Sequence, residues 1–225
     1  EPIYGSGGAK IPWERREELG FWQALLESVK MLITEPAVFY DRMTKYGNFG
    51  NPLIFAIIVG TAGAVLGQLW GLMMQSLSLA PLGFLGEGYS EIAAQSAAGF
   101  AGGIIGLILA PVGVVISCFL SAGVYHLILM ILGGAEEGYE TSFRVVAYSQ
   151  VSQLANVVPI LGGLISTIWG LVLIVIGLRE AHVIENRLAL WAVLLPIVVC
   201  CIGSIILFVV FGAAALAALG SAIGG

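Results

Sequence analysis

The stretch YETSFRVVAYSQVSQLANVVPILGG, residues 139–163, is an apolar segment of membrane length that carries many polar side chains. An amide buried in hydrocarbon is costly unless it finds a partner, so these side chains should face protein or a wet cavity rather than lipid. On an α-helix, Ser149, Gln153 and Asn156 lie at i, i+4 and i+7 and share one face, with Ser152 beside them and Gln150 in the same segment. The stretch is therefore predicted to form the central helix of a membrane bundle.

The composition is that of an integral membrane protein. Of the 225 residues, 59% are hydrophobic and only 10% are charged, against roughly 25% charged in an average soluble domain. Cys118, Cys200 and Cys201 lie inside apolar runs, without the spacing of a metal site or a disulfide framework. They are predicted to be small core residues. We expect no metal and no cofactor.

The apolar segments predict an all-α fold, a polytopic membrane protein with five transmembrane helices. The spans are expected at about residues 52–74, 97–133, 145–160, 163–178 and 188–211. At about 1.5 Å per residue, a helix over residues 52–74 crosses a hydrocarbon core of about 30 Å. The uncharged segment 97–135 is longer than one simple crossing, and it permits either a single helix kinked at Pro111 or a hairpin of two helices.

The distribution of basic residues favours the single crossing. Six of the nine Lys and Arg residues precede the first span, and the other three are Arg144, Arg179 and Arg187. With five spans all nine lie on one side of the membrane, whereas a hairpin would divide them six against three. The positive-inside rule therefore predicts five spans, with the amino terminus in the cytoplasm and the carboxyl terminus outside.

The amino-terminal part is expected to lie at the cytoplasmic surface of the membrane. Residues 1–10 have the composition of a linker, and residues 11–51 predict amphipathic helices because apolar side chains recur there at helical spacing. The apolar stripe consists of Trp22, Leu25, Leu26, Val29, Leu32 and Ile33. Such a stripe is consistent with helices that lie on the bilayer or dock a partner, and equally with a lid packed on the end of the protein's own bundle.

Small residues recur at helical spacing in two spans. Gly63, Gly67 and Gly71 follow one another at intervals of four, and Gly99 and Gly103 do the same. A ridge without side chains lets a second helix approach closely. Close helix packing is the favoured interpretation, and a groove for a ligand is the alternative.

Several short motifs follow one another along the chain, beginning with Pro12-Trp13-Glu14-Arg15-Arg16, Glu35-Pro36 and Gly50-Asn51-Pro52-Leu53. Their order and spacing resemble those of bacterial members of the Yip family, the Ypt/Rab-interacting-protein membrane domain, and the resemblance covers nearly the whole chain to about Pro196. Further matching segments are His126 to Gly134, Thr141 to Ser149, Pro159 to Gly163, and Ile168-Trp169 through Gly177-Leu178-Arg179-Glu180. The resemblance implies a cytoplasmic amino-terminal region followed by five membrane helices, in the inner membrane of a bacterium. Eukaryotic relatives are implicated in vesicle traffic through contacts with small GTPases.

Few side chains in the predicted spans could carry out chemistry. The spans hold no carboxylate, and no metalloprotease, phosphate-binding or serine-histidine pattern is present. An enzymatic function is therefore not expected. His126 is an ionisable group well inside a span, so it is a candidate for proton transfer, but a neutral imidazole bonded to a neighbouring polar group would serve equally as a structural lock.

The remaining polar residues also permit two interpretations. Ser149, Gln150, Gln153 and Asn156 could join helices through interhelical hydrogen bonds or line a path for a substrate. On the cytoplasmic side, Glu140, Arg144, Arg179 and Glu180 are predicted to belong to a solvated rim of mixed charge, with Glu140 and Arg144 as an i, i+4 pair.

The sequence therefore predicts a non-enzymatic membrane scaffold or adaptor. Its expected partners are the lipid bilayer, an unidentified membrane or cytoplasmic protein, and possible further copies of the chain in a homo-oligomer, with no nucleic acid. The alternative is a small channel or carrier for a lipid or an uncharged solute, which would use His126 and the amide side chains.

Overall fold

A computed structural model of the chain describes residues 10–79 and 89–223, with side chains described for residues 10–77 and 96–212. Most of the predicted linker, residues 1–9, lies outside the described part. Within the described ranges the chain is helical and contains no strand. After a short 3₁₀ helix, Pro12–Arg15, the α-helices are α1 (Arg16–Leu19), α2 (Phe21–Thr34), α3 (Pro36–Arg42), α4 (Gly50–Leu79), α5 (Tyr89–Leu132), α6 (Tyr139–Ser149), α7 (Gly162–His182) and α8 (Asn186–Ile223).

The long apolar runs form long helices. Four segments in the described part are long and apolar enough to cross a membrane: Gly50–Leu77, Ser96–Leu132, Gly162–His182 and Asn186–Gly212. They correspond to the predicted spans at 52–74, 97–133, 163–178 and 188–211. The second of them is a single helix that continues through Pro111, so residues 97–133 do not form a hairpin.

The predicted third span, 145–160, has a different structure. α6 ends at Ser149, and the chain continues as a 3₁₀ helix over Gln150–Val157, which we call the polar 3₁₀ helix. Ile160 then takes a left-handed conformation, with φ of 66°, before α7 begins. The count of five membrane-length helices is therefore not confirmed. The continuous α-helix expected here is absent because residues 150–157 wind with three residues per turn instead of 3.6.

Several helix ends coincide with residues that favour them. Gly20, at φ of 85°, separates α1 from α2, a left-handed conformation that glycine adopts without a steric cost. Pro36 opens α3, where its fixed φ and missing N–H suit the first turn. Gly133, at φ of 73°, ends α5, and the backbone N–H of Gly134 donates to the carbonyl of Leu129 at 2.8 Å.

The amino-terminal helices share their core with the membrane helices. Trp13, Leu32, Phe39 and Tyr40 are completely buried, in one cluster with side chains of α4, α6, α7 and α8. Phe39 packs edge-on against Tyr148 of α6, with 5.1 Å between ring centroids. The amino-terminal region is thus packed on the bundle, as the lid interpretation expected.

Candidate functional site

The polar 3₁₀ helix aligns three amides on one face. Residues three apart are eclipsed when a helix has three residues per turn, so Gln150, Gln153 and Asn156 stand one above another, and the Asn156 amide donates to the Gln153 side-chain oxygen at 3.1 Å. Ser149 does not belong to this face. Its hydroxyl donates to the Val146 carbonyl one turn back, at 2.7 Å. The face expected from an α-helix, Ser149 with Gln153 and Asn156, is therefore replaced by the face with period three.

Glycines of α4 lie directly opposite this face. A Cβ added at Gly63 would stand 2.5 Å from the carbonyl carbon and Cβ of Gln153, which is closer than real Cβ atoms come. At Gly67 it would meet the Asn156 side chain at 3.7 Å, and at Gly60 the Gln150 side-chain oxygen at 3.5 Å. Gly71 has nothing within 4 Å. The polar 3₁₀ helix therefore approaches the backbone of α4 most closely at Gly63 and does not contact Gly71.

The opposite side of the same segment packs on glycines of α7. A Cβ at Gly177 would stand 2.5 Å from a methyl group of Val145, and one at Gly170 would stand 2.9 Å from the Ser152 hydroxyl. Near the start of α7, a Cβ at Gly162 would stand 2.7 Å from the carbonyl oxygen of Ala155. The segment from Val145 to Ala155 therefore runs antiparallel to α7 and is clamped between two glycine-bearing helices.

Glutamines that the sequence did not single out occupy the other glycine pair. The Gln75 side chain lies 2.7 Å from the Cβ position of Gly99, and Gln68 is in contact with that of Gly103. The Gln75 amide also donates to the backbone carbonyl of Ser96 at 3.3 Å. Gly99 and Gly103 thus admit long polar side chains of α4 rather than a second helix backbone.

His126 belongs to a hydrogen-bonded chain that joins three helices. The backbone N–H of Glu137 donates to His182 Nδ1 at 3.2 Å, so in the neutral ring Nε2 carries the proton. That Nε2–H can donate to the Ser142 hydroxyl at 2.9 Å, and Ser142 in turn to His126 Nδ1 at 3.0 Å. Ser142 and His182 are completely buried. His126 is thereby partnered through Ser142, and neither Ser142 nor His182 had a recognisable signal in the sequence.

Arg144 is buried, whereas the sequence predicts a solvated rim there. Its side chain is 4% exposed and lies between two carboxylates, Glu140 at 3.0 Å and Glu14 at 3.4 Å. It also donates to the backbone carbonyls of Tyr46 and Asn48, at 3.3 and 3.1 Å. The difference arises because the amino-terminal lid covers this end of α6 and supplies a partner 130 residues away in the chain.

The segment before α1 is fixed to the start of α4. Trp13 Nε1 donates to the Asn51 carbonyl at 2.8 Å, and Arg16 donates to the Asn51 side-chain oxygen at 2.8 Å. Glu14 accepts from both the backbone N–H and the hydroxyl of Thr44. Burial raises the pKa of the Glu14 carboxyl, and the bonds from Thr44 and the charge of Arg144 oppose that increase only in part.

Two further ion pairs lie at the same end. Arg179 pairs with its neighbour Glu180, and both side chains are about one-third exposed. Lys45 pairs with Glu137 at 3.0 Å. Burial alone would raise the pKa of the Glu137 carboxyl, but hydrogen bonds from Tyr46 and Lys45 and the Lys45 charge outweigh burial and hold that pKa below its ordinary 4.5.

These groups are arranged for holding helices together. In the part of the chain that the structure describes, no three His, Cys, Asp or Glu side chains converge as a metal site would require. Ser142 lies between two histidines, but its complete burial keeps substrates away from its hydroxyl. The polar side chains described above therefore bond to one another or to backbone carbonyls, or pack on glycines, whereas the buried hydroxyls of Ser28, Thr61 and Tyr148 have no hydrogen-bond partner.

Comparison with known protein families identifies one that covers most of the chain. The family model for the Yip1 domain matches residues 30–208, which includes α3 to α7, the last five residues of α2 and most of α8. No curated protein and no solved structure matches the chain.

Proposed function

The chain belongs to the Yip1 domain family, and from this premise we propose that it is a non-enzymatic membrane scaffold, which holds protein partners or further copies of itself in the bilayer. The Yip1 family is not a known enzyme family, and the apolar helices make this member a membrane protein. The scaffold function is supported by the contrast between the interior and the lateral surface of the bundle.

The interior is occupied by its own contacts. The amides of the polar 3₁₀ helix stand against Gly63 and Gly67, and the charge of Arg144 is matched by two carboxylates. Hydrogen bonds between membrane helices, such as the one that joins His126 of α5 to Ser142 of α6, contribute about 0.6 kcal/mol each on average. Such an interior supports a rigid framework.

The lateral surface is long, apolar and largely uncovered, and this observation carries the proposal. Few residues of Ser96–Leu132 and Asn186–Gly212 are buried. Between these two helices lies a groove of about 380 Å³, lined by Leu120, Ser121, Val124, Tyr125, Pro196, Ile197, Cys200 and Cys201. A concave apolar surface between two spans can receive a helix of a partner or of a second copy.

We infer five crossings of the membrane, with α6 and the polar 3₁₀ helix as the third. An α-helix rises about 1.5 Å per residue and a 3₁₀ helix about 2.0 Å. The 11 residues of α6 and the 8 of the 3₁₀ helix therefore extend about 32 Å, of which the uncharged part after Arg144 is about 24 Å, against the ~30 Å of the hydrocarbon core. The antiparallel alignment of this segment with α7 supports the same inference.

We infer further that the amino terminus is cytoplasmic and the carboxyl terminus outside, in the inner membrane of a bacterium. Contacts that two basic side chains make across the chain support a common location of the charges: Arg144 donates to the backbone carbonyls of Tyr46 and Asn48, and Lys45 pairs with Glu137. The lid and the loop before α6 therefore lie at one end, which the positive-inside rule assigns to the cytoplasm.

A small carrier or channel is the competing function, and flux measurements separate the two. A carrier that uses the amides and the histidine would lose solute or lipid flux into proteoliposomes in the variants His126→Ala and Gln153→Ala. A scaffold shows no such flux in the unmodified protein. Flux that disappears in both variants would replace the scaffold proposal with the carrier.

The direct test is purification from native membranes after gentle solubilisation, followed by native mass spectrometry. We expect a bound protein partner or an oligomer. A matched cross-linking experiment locates the contact: a variant that retains only Cys200 should form a covalent adduct in the membrane under mild oxidation, whereas a variant that retains only the buried Cys118 should not. Recovery of monomers without a partner would refute the scaffold.

A further inference from the structure

Helix α2 presents three parallel stripes, each with the spacing i, i+4, i+7, i+11. The first consists of Trp22, Leu26, Val29 and Ile33, the second of Gln23, Glu27, Lys30 and Thr34, and the third of Phe21, Leu25, Ser28 and Leu32. Successive stripes are offset by one residue and thus lie about 100° apart around the helix. A surface helix ordinarily needs only two faces, one for the core and one for water.

The third stripe packs on the bundle through its last three residues, whereas Phe21 is 42% exposed and packs edge-on against Trp13. Leu32 and Ser28 are completely buried and Leu25 nearly so, together with Ala24 beside them. The second stripe is polar and exposed, and its Gln23 amide donates to the Glu27 carboxylate at 2.8 Å along the helix. These two stripes account for protein on one side and water on the other.

The first stripe is apolar, and three of its four residues are exposed, whereas Val29 is partly buried against the core. Trp22 is 71% exposed, Leu26 66% and Ile33 53%. The sequence places these residues in one stripe with Leu25 and Leu32, but the structure separates the two sets. Packing on the bundle therefore uses only part of the apolar surface of α2 and leaves a second apolar face directed elsewhere.

That second face leads to the lipid-facing side of the bundle. Ile33 lines an apolar groove of about 410 Å³ together with Val151, Leu154, Ala155 and Trp169. Trp169 belongs to α7, a membrane-length helix, and stands on the same face as Ile165 and Val172, which are both exposed. The apolar stripe of α2 is thus continuous with a surface that faces hydrocarbon.

We propose that α2 is an interfacial helix whose stripe Trp22, Leu26, Val29 and Ile33 is embedded in the lipid of the bilayer, while the Gln23 stripe faces water and the Leu25 stripe holds the helix on the bundle. Lipid is the occupant that this continuity favours, because a protein on the stripe would have to displace lipid from the adjoining face of α7. Tryptophan is also enriched at membrane interfaces, where its apolar ring can contact lipid while its N–H contacts water. The proposal is independent of the scaffold function.

The test compares two adjacent positions of α2 in the full-length protein. Leu26→Cys and Glu27→Cys are each introduced into a Cys200→Ser, Cys201→Ser background; the remaining Cys118 is buried and does not react in the folded protein. Both substituted residues are exposed, so neither change disturbs the core. Each variant carries an environment-sensitive fluorophore and is reconstituted into phosphatidylcholine–phosphatidylglycerol vesicles with doxyl-labelled lipid or with aqueous iodide.

We expect the label at residue 26 to be quenched several-fold more by doxyl lipid than the label at residue 27, and the label at residue 27 to be quenched more by iodide. Equal quenching of both labels by iodide would overturn the proposal, because the stripe would then face water. Protection of the label at residue 26 from both quenchers would also overturn it and would indicate a covering protein such as a second copy.

Discussion

Gly63→Ala should destabilise the bundle, whereas Gly71→Ala should not, although both glycines lie on α4. The added Cβ at Gly63 would stand 2.5 Å from the carbonyl carbon and Cβ of Gln153. The polar 3₁₀ helix would have to retreat by about 1 Å to restore an ordinary carbon contact of about 3.5 Å. At Gly71 there is nothing within 4 Å to displace.

The comparison isolates the packing cost. Both substitutions replace a helical glycine, so both gain helix propensity of about 1 kcal/mol and this gain cancels in the difference. Overpacking against atoms that cannot rotate away costs about 1–3 kcal/mol. The unfolding equilibria of the two variants should therefore differ about 5- to 150-fold, and their melting temperatures by about 2–12 °C.

The assay is thermal unfolding in a mild detergent. In a Cys200→Ser, Cys201→Ser background, the buried Cys118 thiol reacts with a fluorogenic maleimide only as the bundle opens. Gly67→Ala, whose Cβ would make an ordinary 3.7 Å contact with Asn156, serves as a second control. A Gly63→Ala melting temperature equal to or above that of Gly71→Ala would show that the polar 3₁₀ helix is not held against α4.

Three further outcomes follow from the polar contacts. Arg144→Ala leaves two carboxylates without their cation at a buried site and should lower the free energy of unfolding by about 3–5 kcal/mol. Arg179→Ala removes the cation of a pair that is about one-third exposed and should change the free energy of unfolding by less than about 1 kcal/mol. Equal melting temperatures of the two variants would contradict this. Ser142→Ala interrupts the hydrogen bonds that link the two histidines and should lower the free energy of unfolding by about 1–3 kcal/mol. The control Ser204→Ala, at an exposed position, should change it little. An unchanged stability of Ser142→Ala would show that this chain of hydrogen bonds is not formed. The pKa of the Glu137 carboxyl is lowered in the folded protein, so this group contributes stability above about pH 4.5 that is lost as the pH falls through its folded pKa. The difference in melting temperature between the unmodified protein and Glu137→Gln should therefore shrink from pH 7 to pH 4. A difference that stays constant with pH would refute the lowered pKa of Glu137.

The sites of the amino-terminal region illustrate the limit of sequence reasoning. Trp13, Glu14 and Arg16 lie in the motif that carries the family resemblance, yet their partners are Asn51, Thr44 and Arg144. An i, i+4 pair such as Glu140 and Arg144 can be predicted, because both members lie on one helix face. The burial of Arg144 depends on Glu14 and the amino-terminal helices, which lie about 130 residues earlier in the chain. No local sequence pattern predicts that contact.

The sequence by itself determined the class of the protein: long uncharged runs can satisfy their backbone groups in hydrocarbon only as helices, so the membrane helices at 52–74, 97–133, 163–178 and 188–211 follow from composition and length. The tertiary structure alone decided the winding of residues 150–157, the face that Gln150, Gln153 and Asn156 share, and the division of the α2 stripe into a buried and an exposed set. Hydropathy is a property of each residue, whereas helix winding and the direction of a face depend on which neighbours approach. Here the glycine surfaces of α4 and α7 and the flank of the bundle set those approaches.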